Sequence, residues 1–492
     1  MEALFFKDTK WVFLAEAAYL LILAGVCARV VYDTRSVAKT LGYLLLIIFV
    51  PVAGMIFYFS FGINYRKRKI YTKKLVVDES IKIDFEKRMK EYDEAVSSFD
   101  HPVLEENRPL VYLLSNRRSG GGLVAENSEV KVLQNGEEFF PALFDEIQKA
   151  ERHIHIEFYI YEDDVVGNRL KELMVEKVRQ GVEVRFIYDD FGSMRIRRAF
   201  VRELREAGVQ AYPFNRIRMV GLANRLNYRN HRKIVIIDGF TSFIGGINVS
   251  DKYINNGSNA LYWRDTHLMI RGYSSLALQQ IFLADWNFCA GGAIQINRNY
   301  FPLRRLGPGK KKLVQIAASG PDSDLPSILY SVIQAVNKAR EEILITTPYY
   351  IPDTSLQESL IIAALSRVKV RLLVPALGDS SFVSIASRSY FEELLTAGVE
   401  IFLYRKGFVH AKTFVVDRKI ASVGTANMDS RSFDLNFEVS ALIYDEEVAG
   451  KLADDFFSDL KASEPVDFDR WMKRPRWRVF VERLIRLFSP FM

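Results

Sequence analysis

A chain of 492 residues is too long for one compact core, so two folded domains with appendages are expected. Two cysteines, Cys27 and Cys289, exclude a disulfide framework and suit a reducing, cytoplasmic setting for the bulk of the chain. A formal net charge of +7 fits an anionic partner, nucleic acid or acidic lipid, while 35 Phe, 23 Tyr and a mean hydropathy near zero suit a protein with membrane segments.

Two apolar runs open the chain. The first, Trp11 to Ala28, contains Glu16 and alone has the character of a signal-peptide core. The second, residues 41–63, carries no charge and is long enough at helical rise to span hydrocarbon, where Pro51 and Gly54 are tolerated. Two runs in succession predict a transmembrane hairpin over 1–64, and Val26 before Cys27 argues against a lipoprotein cleavage site. YRKRK at 65–69, with Lys73 and Lys74, outweighs Arg29, Arg35 and Lys39 in the loop between the runs. The chain is therefore expected to be a multi-pass protein of the cell (inner or plasma) membrane, with the following domain cytoplasmic. The same cluster opens a charged linker over 65–110 and suits anionic headgroups.

The next segment contains an internal repeat. AERHIHIEFYIYEDD (150–164), VEVRFIYDD (182–190) and LREAGVQAYPF (204–214) find counterparts in AREEILITTPYYIPD (339–353), VKVRLLVPALGD (368–379) and LLTAGVEIFLY (394–404). Strand-like runs alternate with helix-like stretches at 168–181 and 355–367, which predicts β-α-β units with a buried, mostly parallel sheet in each copy. The copies are expected over 111–305 and 306–465, with GPGKKK (307–312) and SGPDSD (319–324) as connectors.

Each copy ends in the same skeleton, HRKIVIIDGFTSFIGGIN (231–248) and HAKTFVVDRKIASVGTAN (410–427). Alternation along a strand puts His231 with Lys233, and His410 with Lys412, on one face. Gly245 and Gly246, or Gly424 and Thr425, are expected to open a turn that lets backbone amides approach a ligand, with Asn248 or Asn427 following. A lysine, an asparagine and such amides suit a phosphate oxygen, and two copies give a symmetric cradle with a histidine on either side. One neutral imidazole can attack phosphorus, while the other, protonated, donates to the leaving oxygen and then accepts a proton from the incoming alcohol or water. Each copy then supplies half of one site. The same alternation turns Asp238 and Asp417 away from the pairs, a structural position. Asp265 in YWRDTH and Glu438 in NFEVS are better placed to orient the histidines. His101, His153, His155 and His267 show no metal-ligand spacing, so no metal and no cofactor is expected.

His-x-Lys-x4-Asp-x6-Gly-(Gly/Ser/Thr)-x-Asn, present twice, resembles the phospholipase D superfamily. NYRNHRK (227–233), YWRDTHL (262–268), TPYYIPD (347–353), GFVHAK (407–412) and the apolar N-terminus resemble the bacterial cardiolipin synthases within it. The resemblance implies an α/β fold: two tandem β-α-β-α sandwich repeats packed as a pseudo-dimer behind the transmembrane hairpin. It also implies phosphatidyl transfer between two phosphatidylglycerols through a phosphatidyl-histidine, with His231 as nucleophile and His410 as acid, then base. Asp238 and Asp417 join the catalytic set by that motif. Asn248, Asn427, Gly246, Thr425, Arg229 and Tyr349 are the expected substrate contacts.

Between the motif and its upstream strand, residues 214–233 interleave Arg216, Arg218, Arg225, Arg229 and Arg232 with apolar residues, either a guide for anionic headgroups or a solvated basic loop. The last segment, 466–492, places Trp477, Phe480, Val481, Leu484, Ile485 and Phe488 on one helical face among arginines, the pattern of a helix in a membrane interface. Phospholipid substrates and the membrane are thus the expected partners. A hydrolytic phospholipase D, a transferase using phosphatidylethanolamine, a membrane-anchored nuclease and a non-catalytic scaffold are the rival readings. The intact histidines and lysines of both copies argue against the last.

Overall fold

The computed structural model describes residues 2–34, 37–59, 102–116, 122–196, 198–215, 228–257, 261–290, 294, 298–302, 304–323 and 325–489. The chain divides into two units, one of residues 1–73 with 217–228 and one of residues 74–216 with 229–492. In the first, Glu2–Asp33 is one continuous helix, and its stretch Trp11–Asp33 is long and apolar enough to cross a membrane. The second apolar run forms two shorter helices, Val37–Phe49 and Pro51–Phe57. Pro51 disfavours helical backbone in the residue before it, and Val50 leaves that region at φ −134°, ψ 68°. Among the described residues the expected second span is therefore interrupted, and its end at 60–63 lies outside them.

The second unit is built on strands from both sequence copies. The first copy contributes β1 (Val124–Gln134), β2 (His153–Phe158), β3 (Glu183–Asp189), β4 (Gln210–Phe214), β5 (Ile234–Ile237), β6 (Thr241–Gly245), β7 (Tyr262–Arg264) and β8 (Thr266–Gly272). The second contributes β9 (Lys312–Ser319), β10 (Glu342–Thr346), β11 (Tyr350–Ile351), β12 (Lys369–Pro375), β13 (Glu400–Tyr404), β14 (Gly407–Val409), β15 (Thr413–Val416), β16 (Ile420–Gly424), β17 (Met428–Asp429), β18 (Glu438–Tyr444) and β19 (Ser463–Pro465). Fifteen of them form one sheet in the order β4-β3-β2-β5-β6-β8-β1-β9-β18-β16-β15-β10-β12-β13-β19. Read outward from the antiparallel β1–β9 junction, the copies match strand for strand until β19, so an approximate two-fold axis passes through that junction.

The sheet is mixed, not mostly parallel. Only β2–β3–β4 and β10–β12–β13 run parallel, because helices cross back between them. The histidine motifs are hairpins, β5–β6 and β15–β16, and can only be antiparallel. Because the sheet is covered on both faces, both kinds of strand carry an unbroken apolar run, IVII in β5 and ILI in β10 alike.

Each copy has its own core. Phe139, Phe140, Leu143, Leu170 and Met174 pack on Ile154, Ile156 and Phe186 in the first. Leu329, Val332, Leu356 and Leu360 pack on Ile343, Ile345 and Leu372 in the second. The same aspartate opens the helix after each first parallel strand: Asp164 accepts the Gly167 N–H and Asp353 the Ser355 N–H, both at 2.9 Å. The stretch expected as linker up to residue 110, and as the start of the first repeat beyond it, is in part neither. Helices Pro102–Glu106 and Arg108–Ser115 put Leu104, Leu110 and Leu114 into the second copy's core. Gln315 fixes them there through the Val111 carbonyl (3.2 Å) and Ser115 Oγ (3.1 Å).

Candidate active site

The two histidine hairpins turn at their aspartates, not at their glycines. Asp238 and Gly239 have φ 52° and 67°, and Asp417 and Arg418 have φ 50° and 51°, the left-handed geometry that reverses a strand tightly. Each aspartate is held by what it accepts. Asp238 takes the backbone N–H groups of Glu151, Arg152 and His153 at 2.8–3.0 Å; Asp417 takes those of Arg340, Glu341 and Glu342 at 2.8–2.9 Å. They stand at the opposite end of β5 and β15 from the histidines, anchoring the hairpin to the neighbouring parallel strand. Their place in the catalytic set is corrected accordingly. The glycine end closes the hairpin in the sheet: Gly246 N–H donates to the Thr266 carbonyl and Thr425 N–H to that of Val439, both at 2.9 Å. Those two amides are not available to a ligand, contrary to expectation.

At the other end the two copies cross over. His231 N–H donates to the Phe437 carbonyl (3.0 Å), and His410 N–H to that of Arg264 (2.7 Å), beside the parallel β14–β7 pair. The side chains cross as well. His231 Nδ1 lies 3.0 Å from Glu438 Oε1, and His410 Nδ1 lies 2.7 Å from Asp265 Oδ2. Each histidine is thus oriented by a carboxylate of the other copy. With Nδ1 committed, Nε2 is the nitrogen left for chemistry, and the two side chains keep 21% and 15% exposure. Each lysine donates to the carbonyl of its own histidine, Lys233 Nζ at 2.7 Å and Lys412 Nζ at 2.5 Å, which fixes the head group beside the ring and leaves further N–H bonds for an anion.

Burial sets the resting charges. It lowers the His231 pKa against the pull of Glu438, and lowers that of His410 to about 3, with Lys412 adding to the effect and Asp265 opposing it. Both rings therefore rest neutral near pH 7. Burial likewise brings Lys233 to about 8 and Lys412 to about 7, although Glu438 and Asp265 favour both ammonium groups. Burial alone would raise Asp265, but the charges of His410 and Lys412 and the His410 hydrogen bond hold it below the usual range. Lys233 senses both carboxylates and His410 senses both lysines, so the six groups form one electrostatic unit.

The remaining expected contacts lie around this centre or away from it. Asn248 accepts the Ile160 N–H (3.0 Å) and donates one N–H to Tyr253 OH (2.8 Å), so most of its amide is used inside the fold. Asn427 is buried, with its N–H on Ser432 Oγ (3.2 Å). Thr425 Oγ1 donates to Glu438 Oε2 at 2.5 Å, which makes it a support for the carboxylate and not a ligand contact. Gly246 has no such group because a Cβ there would run into the Asp265 carboxylate. Arg229 is buried with its guanidinium 3.6 Å from the Phe191 ring, and Arg232 is ion-paired to Asp285, so neither is a free guide for headgroups. Arg216, Arg218 and Arg225 lie outside the described residues. Tyr349 donates to Asp379 at 2.5 Å and lies 6.4 Å from the Phe408 ring, while Tyr350 is fully buried on Gln357. His153 and His155 are buried against the Gln279 amide, at 3.1 and 2.8 Å.

Three neighbours escaped the sequence reading. The Tyr159 ring lies 4.2 Å from that of His231, Asn436 Nδ2 lies 3.3 Å from His231 Nδ1, and Trp263 faces His410 at 5.6 Å. Asn436 and Trp263 each sit two positions before an orienting carboxylate, and that spacing was the available signal.

A family model described as "Cardiolipin synthase, PLD-like domain" matches residues 143–286 and 332–460, and one described as "Phospholipase_D-nuclease N-terminal" matches residues 20–62. The chain is 41% identical over 460 residues to a cardiolipin synthase of Geobacillus sp., covering 94% of this chain and 90% of that one. It is 39% identical over 467 residues to the major cardiolipin synthase of Bacillus subtilis, covering 94% and 95%. Among solved structures, phosphatidylserine synthase of Haemophilus influenzae shares the fold, with a TM-score of 0.56 at 13% identity, over 80% of this chain and 98% of that one.

Proposed function

Since this chain belongs to the bacterial cardiolipin synthases of the phospholipase D superfamily, we propose that it moves a phosphatidyl group from one phosphatidylglycerol to another through a phosphohistidine. Neutral His231, its Nδ1–H held by Glu438, attacks the phosphorus of the first lipid through Nε2. The P–N bond forms as the P–O bond to glycerol breaks. His410 rests neutral, but the phosphodiester anion arriving beside it, together with Asp265, favours its imidazolium, which gives the departing glycerol its proton. The neutral ring then takes the proton of the terminal hydroxyl of the second phosphatidylglycerol. That oxygen attacks, the P–N bond breaks, and cardiolipin leaves. Lys233 and Lys412 balance the charge on the phosphoryl oxygens throughout.

The observation that carries this reading is the crossed pairing: two imidazoles with free Nε2 atoms, each oriented by the other copy, beside two lysines. Anchoring through Trp11–Asp33, with residues 41–63 making a second crossing and the catalytic unit cytoplasmic, is supported by the cations after residue 64. The test is purified protein in detergent micelles with labelled phosphatidylglycerol, with and without a chelator, beside His231→Ala and His410→Ala. Cardiolipin plus glycerol, lost in both variants, is the expected result. Phosphatidic acid alone would make the protein a hydrolase, a product formed only with added phosphatidylethanolamine would change the acceptor, and no lipid turnover would overturn the reading.

A further inference from the structure

The terminal helix Arg476–Arg486 is mounted inside out. A helix that caps a soluble core turns its apolar face inward. Here the ion-paired residues face the protein: Arg474 meets Glu392 (2.9 Å) and Glu482 (3.1 Å), and Arg486 meets Glu393 (2.7 Å) while lying 4.2 Å from the Tyr390 ring. Of the apolar residues, Ile485 packs against the core. Trp477, Phe480 and Leu487 stand outward at 63%, 67% and 69% exposure. The surface continues beyond the helix. Phe488 meets Phe382, of helix Ser381–Arg388, at 6.3 Å, and Leu377 in the preceding loop is 74% exposed. An exposed apolar surface of this kind, on a helix clamped by ion pairs, needs an occupant.

We propose that this face, formed by helix Arg476–Arg486 together with residues 377–388, docks on an anionic lipid bilayer and admits substrate to the His410 side of the site. The proposal rests on the lipid-substrate reading above. Charge complementarity identifies the occupant. Lys473, Arg476 and Arg478 are exposed and have no carboxylate partner among the described residues. Glu482 is the one acid between residues 473 and 488, and it is buried against Arg474. Large apolar side chains flanked by unpaired cations are what an anionic headgroup layer over acyl chains accepts. The face is also linked to the site by a chain of side-chain contacts. Asp379, in the same loop as Leu377, accepts from Tyr349 OH at 2.5 Å; Tyr349 lies 6.4 Å from Phe408, and Phe408 lies 5.9 Å from His410.

The test uses the full chain in nanodiscs containing phosphatidylglycerol, in a Cys27→Ser/Cys289→Ser background. An environment-sensitive fluorophore is placed on Phe480→Cys or, as a control on the first copy, on Glu172→Cys. Nitroxide-labelled lipids are expected to quench the probe at 480 by more than about half and to leave the control bright. No quenching at 480 overturns the proposal, and crosslinking of two chains through that cysteine would assign the face to a second copy instead. Phe480→Asp/Leu484→Asp is expected to raise the KM for phosphatidylglycerol vesicles about tenfold relative to the KM for a monomeric short-chain analogue. Equal loss on both would make the face merely structural. Quenching needs no turnover, so it can succeed or fail independently of the cardiolipin assay.

Discussion

In the first half of the site, the carboxylate that orients the histidine is shared. Glu438 faces His231 at 3.0 Å while accepting from Thr425 Oγ1 at 2.5 Å and from Asn436 Nδ2 at 3.2 Å. In the second half, Asp265 meets His410 at 2.7 Å with the Thr266 N–H at 2.8 Å beside it. The difference starts at one position of the hairpin. Gly246 leaves the Asp265 carboxylate room against the strand, while Thr425 fills the equivalent space with a hydroxyl that braces the longer Glu438. A near-symmetric frame thus holds two unequal acid-base units through paired size changes, glycine with aspartate and threonine with glutamate.

The symmetric part of this comparison is the easiest to break. His231→Ala and His410→Ala should each cut cardiolipin formation by about 10,000-fold or more, and the double variant should be hardly worse, because the residues act as one unit. Residual activity that halves with each substitution would mean two independent sites. The unequal part comes next. Asp265→Asn should reduce kcat about 1,000-fold and Glu438→Gln about tenfold to a hundredfold, since Glu438 already divides its charge between His231 and the donors of Thr425 and Asn436. The reverse order would show that the sharing of Glu438 is immaterial. Gly246→Ser should displace Asp265 and cost about tenfold to a hundredfold in kcat, while Thr425→Gly should cost only a few-fold.

Titration sharpens the contrast between the lysines. An ammonium group is charged below its pKa, so kcat/KM should fall as pH rises through about 7 (Lys412) and about 8 (Lys233). Lys412→Arg, which stays charged, should move the lower limb upward; an unmoved profile would remove Lys412 from it. The anchors should differ least. Asp238→Ala, at a buried turn, should lower stability by about 2–3 kcal/mol and Asp417→Ala, at a more open one, by about 1 kcal/mol, read from thermal unfolding in detergent.

What the chain disclosed in advance follows the range of the physics. Alternation placed His231 with Lys233 and turned Asp238 away, because both are local consequences of strand geometry. The internal repeat revealed two equivalent halves. The mixed sheet was hidden because strands covered on both faces are apolar whichever way they run. The turn at Asp417 and Arg418 was hidden because the second copy has no glycine there to mark it. Asp265 and Glu438 were recognisable as partners, but no local pattern indicates that a carboxylate reaches across to the other copy. The short helices at 102–115 carry an apolar face whose docking partner is chosen only in three dimensions.

The β1–β9 junction has a mechanical consequence. Pairs from Val124–Gln315 to Asn127–Lys312 carry one hydrogen-bonded sheet from the first copy into the second, so no flexible seam divides the halves that supply the two histidines. The catalyst is then a fixed die and not a pair of jaws. The spent alcohol must leave and the next lipid must enter past side chains while the backbone stands still, and turnover would be governed by traffic at the rim of a rigid cleft.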